Sequence, residues 1–289
     1  MKLVTGVGWH DGSPRLTWAD GTDRGILPLA GPIRWAVGDR RCVGHRIDGH
    51  PVACPDRATL ASGRQCAACQ RADTFRPCMI CTGFGCPRLT PAMRARCAGR
   101  HHLYLASFGG DRVKVGTASA GREDARLVEQ GPLLAVRIAS GSGPRIKQME
   151  HLVSTRTPLV EAVRRSRKLT RLAVGGRVDV ARGHVTAAID TVRALLRDDY
   201  AEELHPPDWF EAPPAVARAR QAAIGRTPMP VRPGTVLTGR IVGAIGPIAL
   251  LDDAGARFLL DVGELVGREL DPDPPHDLPA PTVQLGLFA

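Results

Sequence analysis

Eight cysteines, all between Cys42 and Cys97, are the first residues in this sequence that imply chemistry. Four of them form two pairs, Cys66-Ala-Ala-Cys69 and Cys78-Met-Ile-Cys81, with eight residues between the pairs. Two residues between thiolates let one turn aim both sulfurs at a single ion, and two such knuckles complete a tetrahedron around zinc. Cys42, Cys54 and Cys86 lie outside this double knuckle and are expected to join a second site, with His45 or His50 as a further ligand. One or two structural zinc ions follow from that count. Cys97 is read as a buried or free thiol. The stretch holds Pro77, Gly83, Gly85 and Pro87 but few apolar residues. Lacking a core of its own, it must draw folding energy from the metal. Redox or iron–sulfur chemistry is the rival use of such thiols. Disulfides fit less well, because a cytosolic protein does not keep them oxidised.

A second set of candidates follows the cysteines. Residues 102–108 and 112–116 have the texture of two strands joined at Gly109-Gly110-Asp111, a hairpin signal. Strand alternation puts Leu103 and Leu105 on one face and Tyr104 on the other. Val113 and Val115 likewise leave Lys114 opposite. If the apolar sets share a core, Tyr104 and Lys114 project together. A helix is expected over 122–130, a third strand over 133–139 and a second helix over 144–156. On that second helix Ile146, Met149 and Val153 make an apolar stripe, and Glu150 falls within its arc. A carboxylate placed there is costly unless it is paired or binds a cation.

These residues resemble the motifs of the GIY-YIG nuclease superfamily. His102-Leu-Tyr104-Leu-Ala-Ser-Phe-Gly stands for its first strand motif, and Val113-Lys114-Val-Gly116-Thr for its second. Arg126-Leu127 and Glu150 fall where the superfamily has an Arg-Leu pair and a Glu on successive helices. With the cysteine module in front, the arrangement also resembles an uncharacterised prokaryotic zinc-cluster family. The resemblance covers roughly residues 100–160. It implies a Mg²⁺ or Mn²⁺ ion on Glu150, with Arg122 and Arg126 stabilising phosphoryl charge. Tyr104 would orient or deprotonate the attacking water, and Lys114 would neutralise the phosphate. The implied activity is metal-dependent hydrolysis of DNA in repair or replication. Two departures favour a non-catalytic DNA- or RNA-binding protein with a degenerate fold of this kind. The chain has no asparagine, where the superfamily usually supplies one late in the fold, and Lys114 replaces the second tyrosine. A plain structural reading also stands: Tyr104 as a half-buried strand residue, Arg122 and Arg126 pairing with Glu129, and Glu150 pairing with an arginine.

Gln284-Leu285-Gly286-Leu287-Phe288 resembles the peptide by which bacterial replication and repair proteins dock on the DNA sliding clamp. In that mode the Gln284 amide meets a pocket rim, and Leu285, Leu287 and Phe288 enter an apolar groove. An acidic, proline-rich stretch before it would act as a leash.

The elements that must position these groups fall into an α+β order. Residues 1–41 are β-rich hairpins, 42–99 the cysteine module, and 100–204 a small three-stranded sheet with helices, including a long helix over 184–204. A proline-rich linker is expected over 205–233, a small β-barrel over 234–270, and a disordered tail over 271–289. The net charge is +10, from 39 Lys and Arg against 29 Asp and Glu. The excess lies before residue 201, and the remainder is acidic, as suits a body that binds a polyanion. No apolar run approaches the roughly 20 residues of a bilayer span, and the first residues lack the apolar stretch of a secretory signal. The expectation is a cytoplasmic, nucleoid-associated protein without a membrane partner.

Overall fold

The computed structural model describes residues 1–10, 12–86 and 90–275. Four strands come first, β1 (Lys2–His10), β2 (Ser13–Asp20), β3 (Asp23–Pro28) and β4 (Gly31–Arg40), then a short hairpin of β5 (His45–Ile47) and β6 (His50–Val52). Three short helices follow: α1 (Ala67–Ala72), α2 (Arg76–Met79) and α3 (Pro91–Ala98). Next come β7 (Arg100–Ser107), β8 (Val113–Ser119), α4 (Glu123–Gln130), β9 (Leu134–Ser142) and α5 (Gly143–Arg156). α6 (Arg165–Val174), α7 (Val178–Leu196), β10 (Leu204–Phe210) and α8 (Pro214–Ala223) lead into the final strands. These are β11 (Thr227–Met229), β12 (Val236–Ile245), β13 (Ile248–Asp253), β14 (Ala256–Asp261) and β15 (Arg268–Asp271). The fold is mixed α+β. Among the described residues no helix is long and apolar enough to cross a membrane.

The chain divides into two units. The first comprises Met1–Gly44, Ala53–Cys69 and Ala215–Ala289. Its nine-stranded sheet runs β11-β14-β13-β12-β4-β15-β1-β2-β3. The β-rich beginning and the expected separate barrel are therefore one sheet, with β4 hydrogen-bonded between β12 and β15. The reason is packing. Ile33, Trp35 and Val37 alternate inward on β4 and share a core with Leu237, Ile241, Leu251, Leu260 and Leu270 from the later strands. Neither region carries enough apolar residues to close a core alone.

The second unit comprises His45–Val52 and Gln70–Pro214. Its main sheet has four strands, ordered β10-β9-β7-β8, one more than the sequence suggests. The fourth comes from the stretch expected to be linker. Pro206 and Pro207 cannot donate to a ladder, and β10 accommodates them as an edge strand whose register slips between Leu204 and Asp208. The rest of that stretch forms α8 and β11 rather than a linker. The long helix begins earlier than expected and ends at Leu196, because Tyr200 turns back to bury (5% exposed) and the chain is extended again from Leu204. The sheet has two apolar faces. Leu103, Leu105, Val113 and Val115 pack with Ile146, Met149 and Val153 of α5 and with Val185, Ile189 and Val192 of α7. Tyr104, Ala106 and Phe108 pack with Leu127 of α4.

Candidate functional site

Two groups of side chains stand out, one in each unit. In the first, Cys42, Cys54, Cys66 and Cys69 place their sulfurs within 4.8 Å of one another, a set that can hold a metal ion. Cys42 follows β4, where its N–H donates to the Ala58 carbonyl at 2.8 Å. Its sulfur accepts from the Gly44 N–H at 3.4 Å and the Cys66 N–H at 3.2 Å. The Cys69 N–H donates to Cys66 Sγ at 3.5 Å. Cys42, Cys54 and Cys69 are almost fully buried. Burial pushes the Cys42 thiol up, and burial together with its three sulfur neighbours pushes Cys69 up further. Cys66 is drawn down to about 7, chiefly by the Cys69 backbone N–H. Four thiols facing one another oppose each other's ionisation. A cation at their centre removes that opposition.

This set corrects the sequence expectation. Cys66 and Cys69 do form one knuckle, but their partners are Cys42 and Cys54, not Cys78 and Cys81. The cause is the β5–β6 hairpin, which registers His45 with Val52. A chain leaving at Cys42 is thus back in place at Cys54, a closeness invisible in sequence spacing. Cys86 does not join Cys42 and Cys54 either. Its sulfur lies 3.5 Å from that of Cys81, in the second unit. His45 and His50 sit on the hairpin, outside the four-sulfur set.

The second group is built on β7, β8, α4 and α5. Tyr104 is 1% exposed and Lys114 8% exposed. They meet over Gly116: a Cβ there would lie 2.5 Å from the Tyr104 hydroxyl and 2.7 Å from Lys114 Nζ. Glycine is required by this approach, not by turn geometry. Lys114 Nζ stands 5.3 Å from the centre of the Tyr104 ring and donates to the Val115 carbonyl at 3.0 Å. A register shift between Leu103 and Tyr104 against β9 re-aims the tyrosine. Burial pushes the phenol up to about 12, with the nearby Arg126 opposing and Glu150 adding to the rise. Burial also pushes the Lys114 ammonium down to about 8, against the pull of Glu150 and with the repulsion of Arg126 and Lys147.

Glu150 occupies the expected place. Ile146, Met149 and Val153 are fully buried around it on α5, while its own side chain is 12% exposed and bonded to Lys147 Nζ through Oε2 at 2.6 Å. The sequence reading missed Lys147, although its place three residues before Glu150 on a helix was a signal. It also missed Glu161. Val160 pairs with β8 at Lys114 in a parallel bridge, which carries Glu161 into charge range of that lysine. Arg122 is not part of this gathering. Half exposed before α4, it bonds Glu129 at 2.7 Å, and Arg126 approaches the same carboxylate at 3.8 Å. Gln284, Leu285, Leu287 and Phe288 lie outside the described residues.

Comparison with family models, with curated proteins and with solved structures finds no match.

Proposed function

We propose that this chain is a zinc-stapled, divalent-metal-dependent phosphodiesterase acting on DNA, with the GIY-YIG type of site that its motifs resemble. The meeting of Tyr104 and Lys114 over Gly116, with Arg126 of α4 and Glu150 of α5 in charge range of both, carries the reading. With Lys147 and Glu161 added, and Glu129 beside Arg126, the group is a mixed set of cations and carboxylates in which Lys147 and Arg126 each already approach a carboxylate. Arg126, 44% exposed at its side chain, is the group an incoming phosphodiester meets first and stabilises its oxygens as charge develops. Lys114 is the candidate general base. At about 8 its ammonium gives up a proton near neutrality, the range in which base catalysis is efficient. Tyr104, pushed up to about 12, stays protonated; it is a positioning residue that packs the lysine in place. Proton abstraction therefore passes from the tyrosine of the sequence expectation to the lysine.

Lys147 takes one oxygen of Glu150, and a single carboxylate completed by waters is a sufficient protein share for Mg²⁺ or Mn²⁺. When bound, such an ion supplies Lewis-acid stabilisation of the phosphoryl oxygens. For the four-sulfur set we propose zinc, whose tetrahedral preference and affinity for thiolate match it. The clamp-type peptide at 284–288 supports tethering to the bacterial sliding clamp. A pull-down that is unchanged by combined Leu287→Ala and Phe288→Ala would remove that link.

The decisive test is cleavage of single-stranded, duplex and branched DNA by the full chain with Mn²⁺. Glu150→Ala is expected to lose about 10²- to 10⁴-fold in rate, the scale of an essential site group. Equal cleavage by both proteins, or none by the wild type on any substrate, overturns the hydrolase. The Lys147–Glu150 pair favours a second reading, a binder that does not cut, since it already satisfies the carboxylate. That protein would bind DNA in a salt-dependent way, and Arg126→Ala would weaken it.

A further inference from the structure

With Cys66 and Cys69 claimed by the first group, Cys78, Cys81, Cys86 and Cys97 remain, and they occupy one locality of the second unit. Cys81 and Cys86 sulfurs are 3.5 Å apart. Cys78 and Cys97 lie within charge range of each other, and both lie within charge range of Cys86. The local turn repeats that of the first group. In Cys42-Val-Gly44 the glycine N–H donates to the sulfur at 3.4 Å with φ 83°, and in Cys81-Thr-Gly83 it does so at 3.3 Å with φ 82°. Among the described residues the first group alone closes to within 4.8 Å, and the second is the more open of the two.

Over residues 76–86 no side chain is buried, and hydrophobic burial enters only with Met93 of α3. α2 buries no residue, while Met79, Ile80 and Phe84 are 73%, 78% and 59% exposed. Yet the segment docks on α5 through one side-chain hydrogen bond and two close backbone approaches. Gln148 Nε2 donates to the Gly83 carbonyl at 3.0 Å. A Cβ on Gly83 would strike the Pro144 carbonyl, and one on Gly143 would strike the Cys97 carbonyl. Contacts this close require a segment of fixed shape, and thiols in charge range of one another can fix it through a metal.

We propose that Cys78, Cys81, Cys86 and Cys97 are the ligands of a second tetrathiolate site for a zinc-type ion, which fastens α2, residues 80–86 and α3 to the first half of α5. Binding exchanges four S–H bonds for four metal–sulfur bonds and releases four protons to solvent, with no electron transferred. The filled site carries a net charge of minus two. Lys147, in charge range of Cys78 and Cys97, faces it from α5 while holding Glu150 at 2.6 Å. The site thus belongs to the mounting of the proposed active centre. That last step rests on the nuclease reading, whereas the metal count does not.

Zinc in the purified full-length chain, measured by elemental mass spectrometry, is the test. Two ions per chain are expected in the wild type, one in Cys97→Ser, one in Cys42→Ser and none in the combination. A wild type with a single ion, or a Cys97→Ser chain that keeps both, overturns the proposal. If Cys97→Ser loses both ions, Cys97→His decides. Loaded with cobalt, it should hold two ions with a weaker thiolate-to-cobalt absorption than the wild type, and an unchanged band would refute Cys97 as a ligand. An intact mass showing a Cys81–Cys86 disulfide in protein kept reduced would refute the site as well.

Discussion

The two candidate centres are built on opposite electrostatic principles. Around Cys42, Cys54, Cys66 and Cys69 every group takes the same sign when it ionises, and nothing among the four neutralises another. Around Gly116 the signs are mixed: Lys147 and Glu150 already satisfy each other, Arg126 approaches Glu129, and Lys114 lies in charge range of Glu150 and Glu161. A like-charged set can ionise together only around a cation. A mixed set holds together when empty, because its members compensate one another. The first centre should therefore control folding, and the second should control chemistry with a lesser effect on folding.

Metal removal gives the largest effect that can break this contrast. Zinc binding to small thiolate sites is worth roughly 10–16 kcal/mol at neutral pH, so even a fraction of it exceeds the stability of an ordinary domain. Cys69→Ser, or a chelator on the wild type, is expected to lower the thermal midpoint of the unit holding β4 and β12. Unchanged unfolding with the metal gone would show the nine-stranded sheet to be self-sufficient. Glu150→Ala should behave in the opposite way. Cleavage falls about 10²- to 10⁴-fold, while stability, followed by denaturant unfolding, falls by no more than the roughly 3–5 kcal/mol of a broken buried pair, short of the effect of metal loss.

Lys114 sharpens the contrast through pH. Its folded-state value of about 8 lies below the ordinary 10.5, so between those values the unfolded chain binds more protons than the folded one. Stability then rises as pH climbs from about 8 towards 10.5, and below 8 the folded state bears the full cost, on the order of 3 kcal/mol. Lys114→Met should recover part of that cost at pH 7 and flatten the pH dependence of unfolding. Cleavage by the wild type should rise with pH and level off above about 8, and a flat profile would remove Lys114 as the base.

How much of this was legible beforehand depended on whether local pattern or long-range pairing fixed the outcome. Alternation along β7 and β8 separates Leu103 and Leu105 from Tyr104, and Val113 and Val115 from Lys114, because a two-residue period is a local property. The placement of Glu150 among Ile146, Met149 and Val153 follows equally from helical spacing. Cysteine partnership was not legible. It depends on a hairpin closing between Cys42 and Cys54, and the nearest pairs in sequence proved to lie in different units. Nor was the joining of β4 to β12, some two hundred residues away, which only a shared core can dictate. β10 was hidden by its prolines, which suit an edge strand as well as a linker.

The smallest predicted effect separates two arginines, Arg122 just before α4 and Arg126 on it. Arg122 and Arg126 lie four residues apart and share Glu129, so sequence spacing makes them equivalent. Arg126 acts on the ionisation of both Tyr104 and Lys114, and Arg122 on neither. Arg122→Ala removes an exposed ion pair worth less than about 1 kcal/mol and should leave cleavage within about twofold. Arg126→Ala should cost about 10²-fold, as expected for a lost donor to a developing anion. If both substitutions cost the same, the phosphate lies along the outer face of α4 and contacts both guanidiniums there. The buried tyrosine and lysine would then be a structural plug beneath it, and the rate would no longer depend on the ionisation of Lys114.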